Sequence, residues 1–373
     1  MTGGPAVLRS LSQARSPLLD CIRAVAIILV VFFHVAARYP GQDGLGEHFF
    51  QLRGSKGVDL FFPLSGFLIT SFLLQSRRPD FVKVFFLRRV FRILPLYMAM
   101  VTLALASMTA LGEDPELVRR IWINYTFLTS WFIHFQGQEA VPYTVTWSLS
   151  VEEFSYILFG LAALASRRAL PAVLLAFSVA PFFLKLWYVS QGAGFYFMPL
   201  ARIDSIAIGG VAAWLMITGR RPLLWLSLAM ALCYALAASR IELRHSLTLV
   251  ILALWTSLAM VAISRWARQA RNPLISAGAS IGFHSYFTYL FHVFVIEAVF
   301  LILPRTGYPP FLAVAVLCLG ATHAAALLSY RWFEAPLMQW GRRFEGPAPA
   351  PEAALPEPAA PEDEAGPARP LRS

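Results

Sequence analysis

Residues 19–34 read LDCIRAVAIILVVFFH, an apolar run with an arginine near its start and an imidazole at its end. Arg23 and His34 stand eleven positions apart. At roughly 100° per residue that spacing returns nearly to the same helical face, and at 1.5 Å per residue it separates them by about 16 Å. In a helix that crosses a bilayer, one of the two lies near one surface and the other deep in or near the far side. Titratable groups in a spanning helix face the protein interior or a wet cavity, and are functional candidates by default. The fold therefore turns on whether this helix spans.

Composition indicates that it does. Hydrophobic residues make up 58% of the 373 residues and charged residues only 14%, and the mean hydropathy is +0.61. A soluble chain carries about a quarter charged residues. The expected fold class is all-α, a polytopic transmembrane helix bundle held in a lipid bilayer. The net charge is +10, but the basic residues fall in the short gaps between apolar runs and are not interleaved with aromatics on one soluble face. The positive-inside rule accounts for them, and nucleic acid is not an expected partner. Cys21, Cys233 and Cys318 lie in three different apolar runs, so neither a disulfide nor a metal framework is indicated. The first run lacks a small-residue cleavage site and more spans follow, so it reads as retained.

Apolar runs predict about ten spans, near 21–38, 57–75, 93–111, 147–166, 169–189, 199–217, 222–239, 246–264, 280–303 and 310–330. The segment 121–135, IWINYTFLTSWFIHF, is short and carries Asn124 and His134; it reads as re-entrant or interfacial. Arginines 77, 78, 88, 89 and 92 with Lys83 form the densest basic segment, which marks its side as cytoplasmic. Part of that segment is expected to lie as a helix in the interface. Both termini then fall on the cytoplasmic side. Three regions follow: residues 1–18 as a cytoplasmic segment, 19–340 as the membrane domain, and 341–373 as a disordered Pro/Ala-rich tail.

Several polar groups interrupt the apolar runs. Asp20 stands one turn before Arg23 and pairs with it at i,i+3, while His34 suits the role of a general base near neutral pH. TWSLSVEEFSY places Glu152 and Glu153 side by side, about 100° apart on a helix, so at most one faces a given cavity. A carboxylate early in that helix serves either as a capping-box and dipole partner or as a group that orients a hydroxyl or pairs with an arginine. Arg202 and Asp204 in ARIDSIAIGG do not face each other on a helix and need partners elsewhere, which indicates a buried polar network; Gly209 and Gly210 suit close helix packing. His284 and His292 share a face only loosely, and no metal-ligand spacing appears. SYRWFEAP, 329–336, reads as a structural anchor in which Arg331 pairs with Glu334 and Pro336 ends the last helix.

Together these segments resemble the membrane-bound acyltransferase family 3. LDCIRAVAIILVVFFH is similar to that family's arginine, ten residues, histidine motif, and FFPLSGFLIT, LRRVFRILPLY, WSLSVEE, ARIDSIAIGG, SYFTYLFH and SYRWFEAP follow in the family's order over about residues 17–337. The chain departs from the pattern at Cys21, where a small glycine is usual, at Pro63, and at Phe154 and Ser155. The resemblance implies an O-acyltransferase, often an acetyltransferase, of the inner (plasma) membrane. Its donor would be cytoplasmic acyl-CoA as a co-substrate, with no tightly bound cofactor and no metal, and its acceptor a carbohydrate or glycosylated hydroxyl on the outer side. On that reading His34, Arg23 and Glu152 or Glu153 are the catalytic candidates, and Arg88, Arg89 and Arg92 the candidates for the donor's phosphates. Asp20, Ser65, Trp147, Ser148, Arg202, Asp204, Tyr286 and His292 fill a structural or substrate-binding polar network. A carrier exporting a glycan or small acid is the alternative, against which stands the lack of an inverted half-repeat. A membrane scaffold leaves the intramembrane charges without purpose.

Overall fold

The computed structural model describes residues 16–40, 44–239, 241–266, 272–303 and 309–346. The chain opens with α1 (Pro17–Arg38), α2 (Leu45–Arg53), α3 (Lys56–Gln75) and α4 (Phe81–Leu111). Three short helices follow, α5 (Pro115–Arg119), α6 (Trp122–Tyr125) and α7 (Thr129–Gln136), then α8 (Trp147–Ala165), α9 (Leu170–Ser190) and α10 (Pro199–Ile217). The remainder is α11 (Pro222–Ser239), α12 (Ile241–Trp266), α13 (Pro273–Phe283), α14 (Ser285–Ile302), α15 (Phe311–Ser329), a π-helical turn (Tyr330–Glu334) and α16 (Ala335–Arg342). No strand occurs among the described residues.

Nine of these helices are long and apolar enough to cross a bilayer, which makes the chain a polytopic helical bundle. The tenth expected span, α11, is a shorter apolar helix that packs against α12. Counting α11, consecutive helices from α8 to α12 alternate in direction, as do α1, α3 and α4, and α14 and α15. At one end of the bundle Cys21 meets the Ile275 carbonyl, Arg167 donates to the Ser76 carbonyl at 2.7 Å, and Arg88 pairs with Glu345. At the other, Tyr39 donates to the Pro309 carbonyl at 2.7 Å and Arg38 pairs with Glu297. Residues 16 and 346 therefore lie at the same end, here called the Arg23 end.

α3 and α10 form the centre of the packing. A Cβ on Gly66 would fall 1.8 Å from the Ile206 carbonyl oxygen, and one on Gly209 would fall 1.9 Å from that of Pro63. The two backbones touch because each presents a glycine to the other, the small-residue device by which membrane helices approach closely.

Four expectations about elements are corrected. The basic segment does not lie in the interface as a separate helix: residues 81–111 form one continuous helix. Its length of about 46 Å exceeds the roughly 30 Å hydrocarbon core, so its basic turns project beyond the apolar layer. Of the apolar residues between the charges, Val82, Val84 and Phe85 are buried against the bundle, while Val90 is exposed. The run 280–303 is two helices, broken at His284 (φ −91°, ψ 9°), whose ring bonds back to the Ser280 carbonyl at 2.8 Å. Pro336 does not end the last helix. The π-turn lets the Ala335 N–H reach the Tyr330 carbonyl, five residues back, and the chain continues as α16. The widened turn relieves the clash a proline makes with the preceding turn. Glu334 consequently accepts from Ser329 at 3.0 Å instead of pairing with Arg331.

The segment 121–135 is short helices, as expected, and none is long enough to cross. Asn124, fully buried, ties it down by donating to Thr129, Thr146 and the Tyr143 carbonyl at 2.8–3.2 Å. Of the tail 341–373, residues 341–346 are ordered against α4, where Glu345 bonds Arg88. Residues 347–373, like Arg9, Arg15, Arg268 and Arg271, lie outside the described residues.

Candidate active site

A cavity of about 410 Å³ opens in the Arg23 half of the bundle, between α1, α3, α4, α8 and α14. α1 contributes Asp20 and Arg23, α3 Ser65, α4 Arg89 and Arg92, α8 Ser148 and Glu152, and α14 Tyr286 and Tyr289. Arg23 donates to the buried Asp20 carboxylate at 2.6 Å. Arg89 lies over the Tyr156 ring at 4.3 Å, and the Tyr156 hydroxyl donates to Glu152 at 2.5 Å. Three guanidiniums thus face two carboxylates in an otherwise aromatic and aliphatic shell. That is an anion-binding environment of low polarity, where charge-assisted bonds are strong.

The far wall of the cavity is Tyr289. Its hydroxyl donates to the Val145 carbonyl at 2.6 Å and accepts from Ser148 at 2.8 Å. One turn further along α14, about 4.5 Å of rise, His292 meets His34 of α1: Nε2 of His292 lies 3.2 Å from Nδ1 of His34. His34 Nδ1 also lies 2.9 Å from the Val30 carbonyl oxygen. His34 does not line the cavity; Tyr289, which does, has its ring 6.0 Å from that of His292, the partner of His34. Beyond the pair, one turn outward on both helices, Arg38 and Glu297 form a bidentate ion pair, Nε to Oε1 at 2.8 Å.

A second polar cluster lies at the same end as His34, between α3, α9 and α10. Asp59 pairs with Arg202, and Lys185 with Asp204, all at 0–1% exposure. Arg202 also lies 4.9 Å from the Tyr196 ring and 5.2 Å from that of Phe62. Its Nε and Nη1, and Oδ2 of Asp59, are buried without a hydrogen-bond partner. The cluster holds the first turns of α3 and α10 together.

The structure sorts the sequence-predicted residues into groups. Asp20, Arg23, Ser65, Arg89, Arg92, Ser148, Glu152 and Tyr286 meet around the cavity. His34 and His292 meet beyond it. Arg202 and Asp204 belong to the buried network, with the partners their spacing required. Trp147 packs on Phe62, Tyr196 and Phe197 away from the cavity. Arg88 does not line the cavity: it forms a bidentate pair with Glu345 at 2.6 and 2.9 Å. Of the two adjacent glutamates only Glu152 lines the cavity, and Glu153 does not. It points off the cavity, as the 100° between neighbours requires, and neither glutamate lies beside His34. The capping reading of Glu152 also fails, because α8 begins at Trp147 with no side-chain cap. Sequence reasoning missed Tyr289, Asp59 and the partnership of Lys185. Asp59 and Lys185 carried a signal, each a charge inside an apolar run; Tyr289 carried none. Among the described residues no group of His, Cys, Asp and Glu is arranged to hold a metal ion.

Fold and site together define a multi-pass membrane protein with an arginine-lined cavity on one side and a histidine pair just beyond its far wall. The chain belongs to an acyltransferase family: the family's acyltransferase domain matches residues 17–330. It is similar to the O-acetyltransferase OatA of Staphylococcus aureus, in strains NCTC 8325 / PS 47 and COL alike, at 31% identity over 159 residues, or 39% of this chain and 24% of each relative. The chain thus spans about a quarter of the length of the curated relatives it matches. No solved structure matches.

Proposed function

We propose that the protein is a membrane O-acyltransferase that moves an acyl group, most simply acetyl, from acyl-CoA to a carbohydrate or glycosylated hydroxyl. Under this reading the Arg23 end is cytoplasmic and the membrane is the plasma membrane. The observation that carries it is the alignment along α1: three guanidiniums around a cavity whose far wall lies one helical turn from the histidine pair. The donor's phosphates bind at Arg23, Arg89 and Arg92, and its thioester arm extends toward Tyr289. Movement of the Tyr289 side chain then opens the cavity to His34. Nε2 of His34 takes the proton of the acceptor hydroxyl as its oxygen attacks the thioester carbon. The C–S bond breaks, and the same imidazole returns the proton to the leaving thiolate, giving the ester and free CoA. Glu152 and Asp20 orient the guanidiniums; they do not touch the acceptor.

The test is acyl transfer from labelled acetyl-CoA by the protein reconstituted in nanodiscs, with candidate acceptors ranging from envelope polysaccharides to small glycosides. His34→Ala is expected to lower transfer by about 10²-fold or more while the protein stays folded and inserted. Wild-type transfer by His34→Ala would overturn the base assignment. Passage of a glycan or small acid across vesicles without a covalent product or free CoA would favour the carrier instead.

A further inference from the structure

The two imidazoles at the far side of Tyr289 are arranged so that each one's hydrogen bonds restrict the other's protons. Nδ1 of His292 lies 2.7 Å from the Tyr289 carbonyl oxygen and 3.2 Å from that of Thr288. A carbonyl only accepts, so Nδ1 of His292 carries a proton. In the neutral ring its Nε2 is then a lone pair, and that lone pair faces Nδ1 of His34 at 3.2 Å. Nδ1 of His34 meets two acceptors, this lone pair and the Val30 carbonyl at 2.9 Å. It therefore carries the proton, and the other nitrogen of His34, Nε2, is left as the base. No protein group bonds that Nε2 among the described residues.

We propose that His292 is a positioning residue for the transfer reaction: it holds His34 in the tautomer whose Nε2 is unprotonated and stabilises the imidazolium that forms when Nε2 takes the acceptor's proton. The inference rests on the reading of His34 as general base. A neutral imidazole here does what a carboxylate does for the histidine of a hydrolytic triad, accepting from Nδ1–H and fixing ring orientation. The site suits a neutral partner. His292 is fully buried, and a carboxylate there would be an unpaired charge in the bundle core, which is costly. One turn outward, Arg38 of α1 and Glu297 of α14 pair with each other. His292 is itself held at Nδ1 by backbone of its own helix, so its direction is set by α14 and not by a movable side chain.

Two substitutions separate positioning from simple packing. His292→Leu fills the space without an acceptor, whereas His292→Gln retains an oxygen near the position of Nε2. With the reconstituted protein and labelled acetyl-CoA, His292→Leu is expected to lower kcat about tenfold or more with the donor KM unchanged, and His292→Gln to restore most of that loss. In protein labelled with 15N-histidine, the His34 side-chain nitrogens are expected to report a single Nδ1–H tautomer in the wild type and a mixture in His292→Leu. Equal kcat in wild type and His292→Leu would overturn the proposal, as would equal losses in Leu and Gln variants with an unchanged His34 tautomer. An active His34→Ala protein would overturn the base reading instead, and the tautomer measurement would still decide whether His292 sets the protonation of His34.

Discussion

Arg88, Arg89 and Arg92 sit on one basic helix, yet they end in different surroundings. Arg89 and Arg92 turn into the cavity, while Arg88 is held outside it by both oxygens of Glu345. The sequence offered all three as phosphate ligands, because a run of basic residues carries no indication of which face meets the bundle. The structure leads to different expectations for each. Arg89→Gln and Arg92→Gln should each raise the KM for acyl-CoA about 10- to 100-fold, the scale of one charge-assisted hydrogen bond of about 1.5–3 kcal/mol. Arg88→Gln should change it less than twofold, since Arg88 does not line the cavity. Initial rates against acyl-CoA concentration check both. A large effect at Arg88 alone would move the donor site to the surface of α4. The other residue-scale pairing, Asp20 with Arg23, was legible at i,i+3 and forms at 2.6 Å. His34 with His292 was not legible, because the two are 258 positions apart and meet only when α14 packs on α1.

At the scale of elements, the closest approach in the bundle is that of α3 to α10, where Gly66 and Gly209 face carbonyl groups directly. The sequence reading of Gly209 and Gly210 as packing positions is met, and Gly66 supplies the partner within the LSGFL segment. Gly66→Val should push α10 away and destabilise the protein by about 1–3 kcal/mol or more, seen as a lower Tm in detergent or nanodiscs. Gly320→Ala on α15, where an added Cβ meets nothing within 4 Å, should leave the Tm unchanged or slightly raised. Equal Tm values for Gly66→Val and wild type would overturn the close crossing. Helix existence was read well from apolar runs, since each spanning helix satisfies its own backbone and must be long and apolar. Breaks were read poorly. The π-turn at 330–334 accommodates Pro336, which the sequence reading took for a stop, and the interruption at His284 carries no proline at the site.

At the scale of the molecule, alternation of the helices sets Arg23, Arg167, Arg220 and residue 346 at one end and Arg38, Asp59 and Gln191 at the other. In intact cells, a single cysteine at Gln191 in a background lacking Cys21, Cys233 and Cys318 should react with a membrane-impermeant maleimide. One at Arg220 should react only after permeabilisation; the reverse pattern would invert the proposed orientation. The amino-acid sequence by itself determined that this chain is a polytopic helical bundle, where most of its spans lie, and that Arg23 and His34 share a face of the first. Hydrophobic length and helical period are local properties, and the bilayer selects on them directly. Only the tertiary structure decided which charges meet. Asp59 with Arg202, Lys185 with Asp204, three arginines around one cavity, and His292 behind His34 all join distant segments. Which side chain faces which is set by helix rotation and close packing of neighbours, and the order of residues along one helix does not encode that.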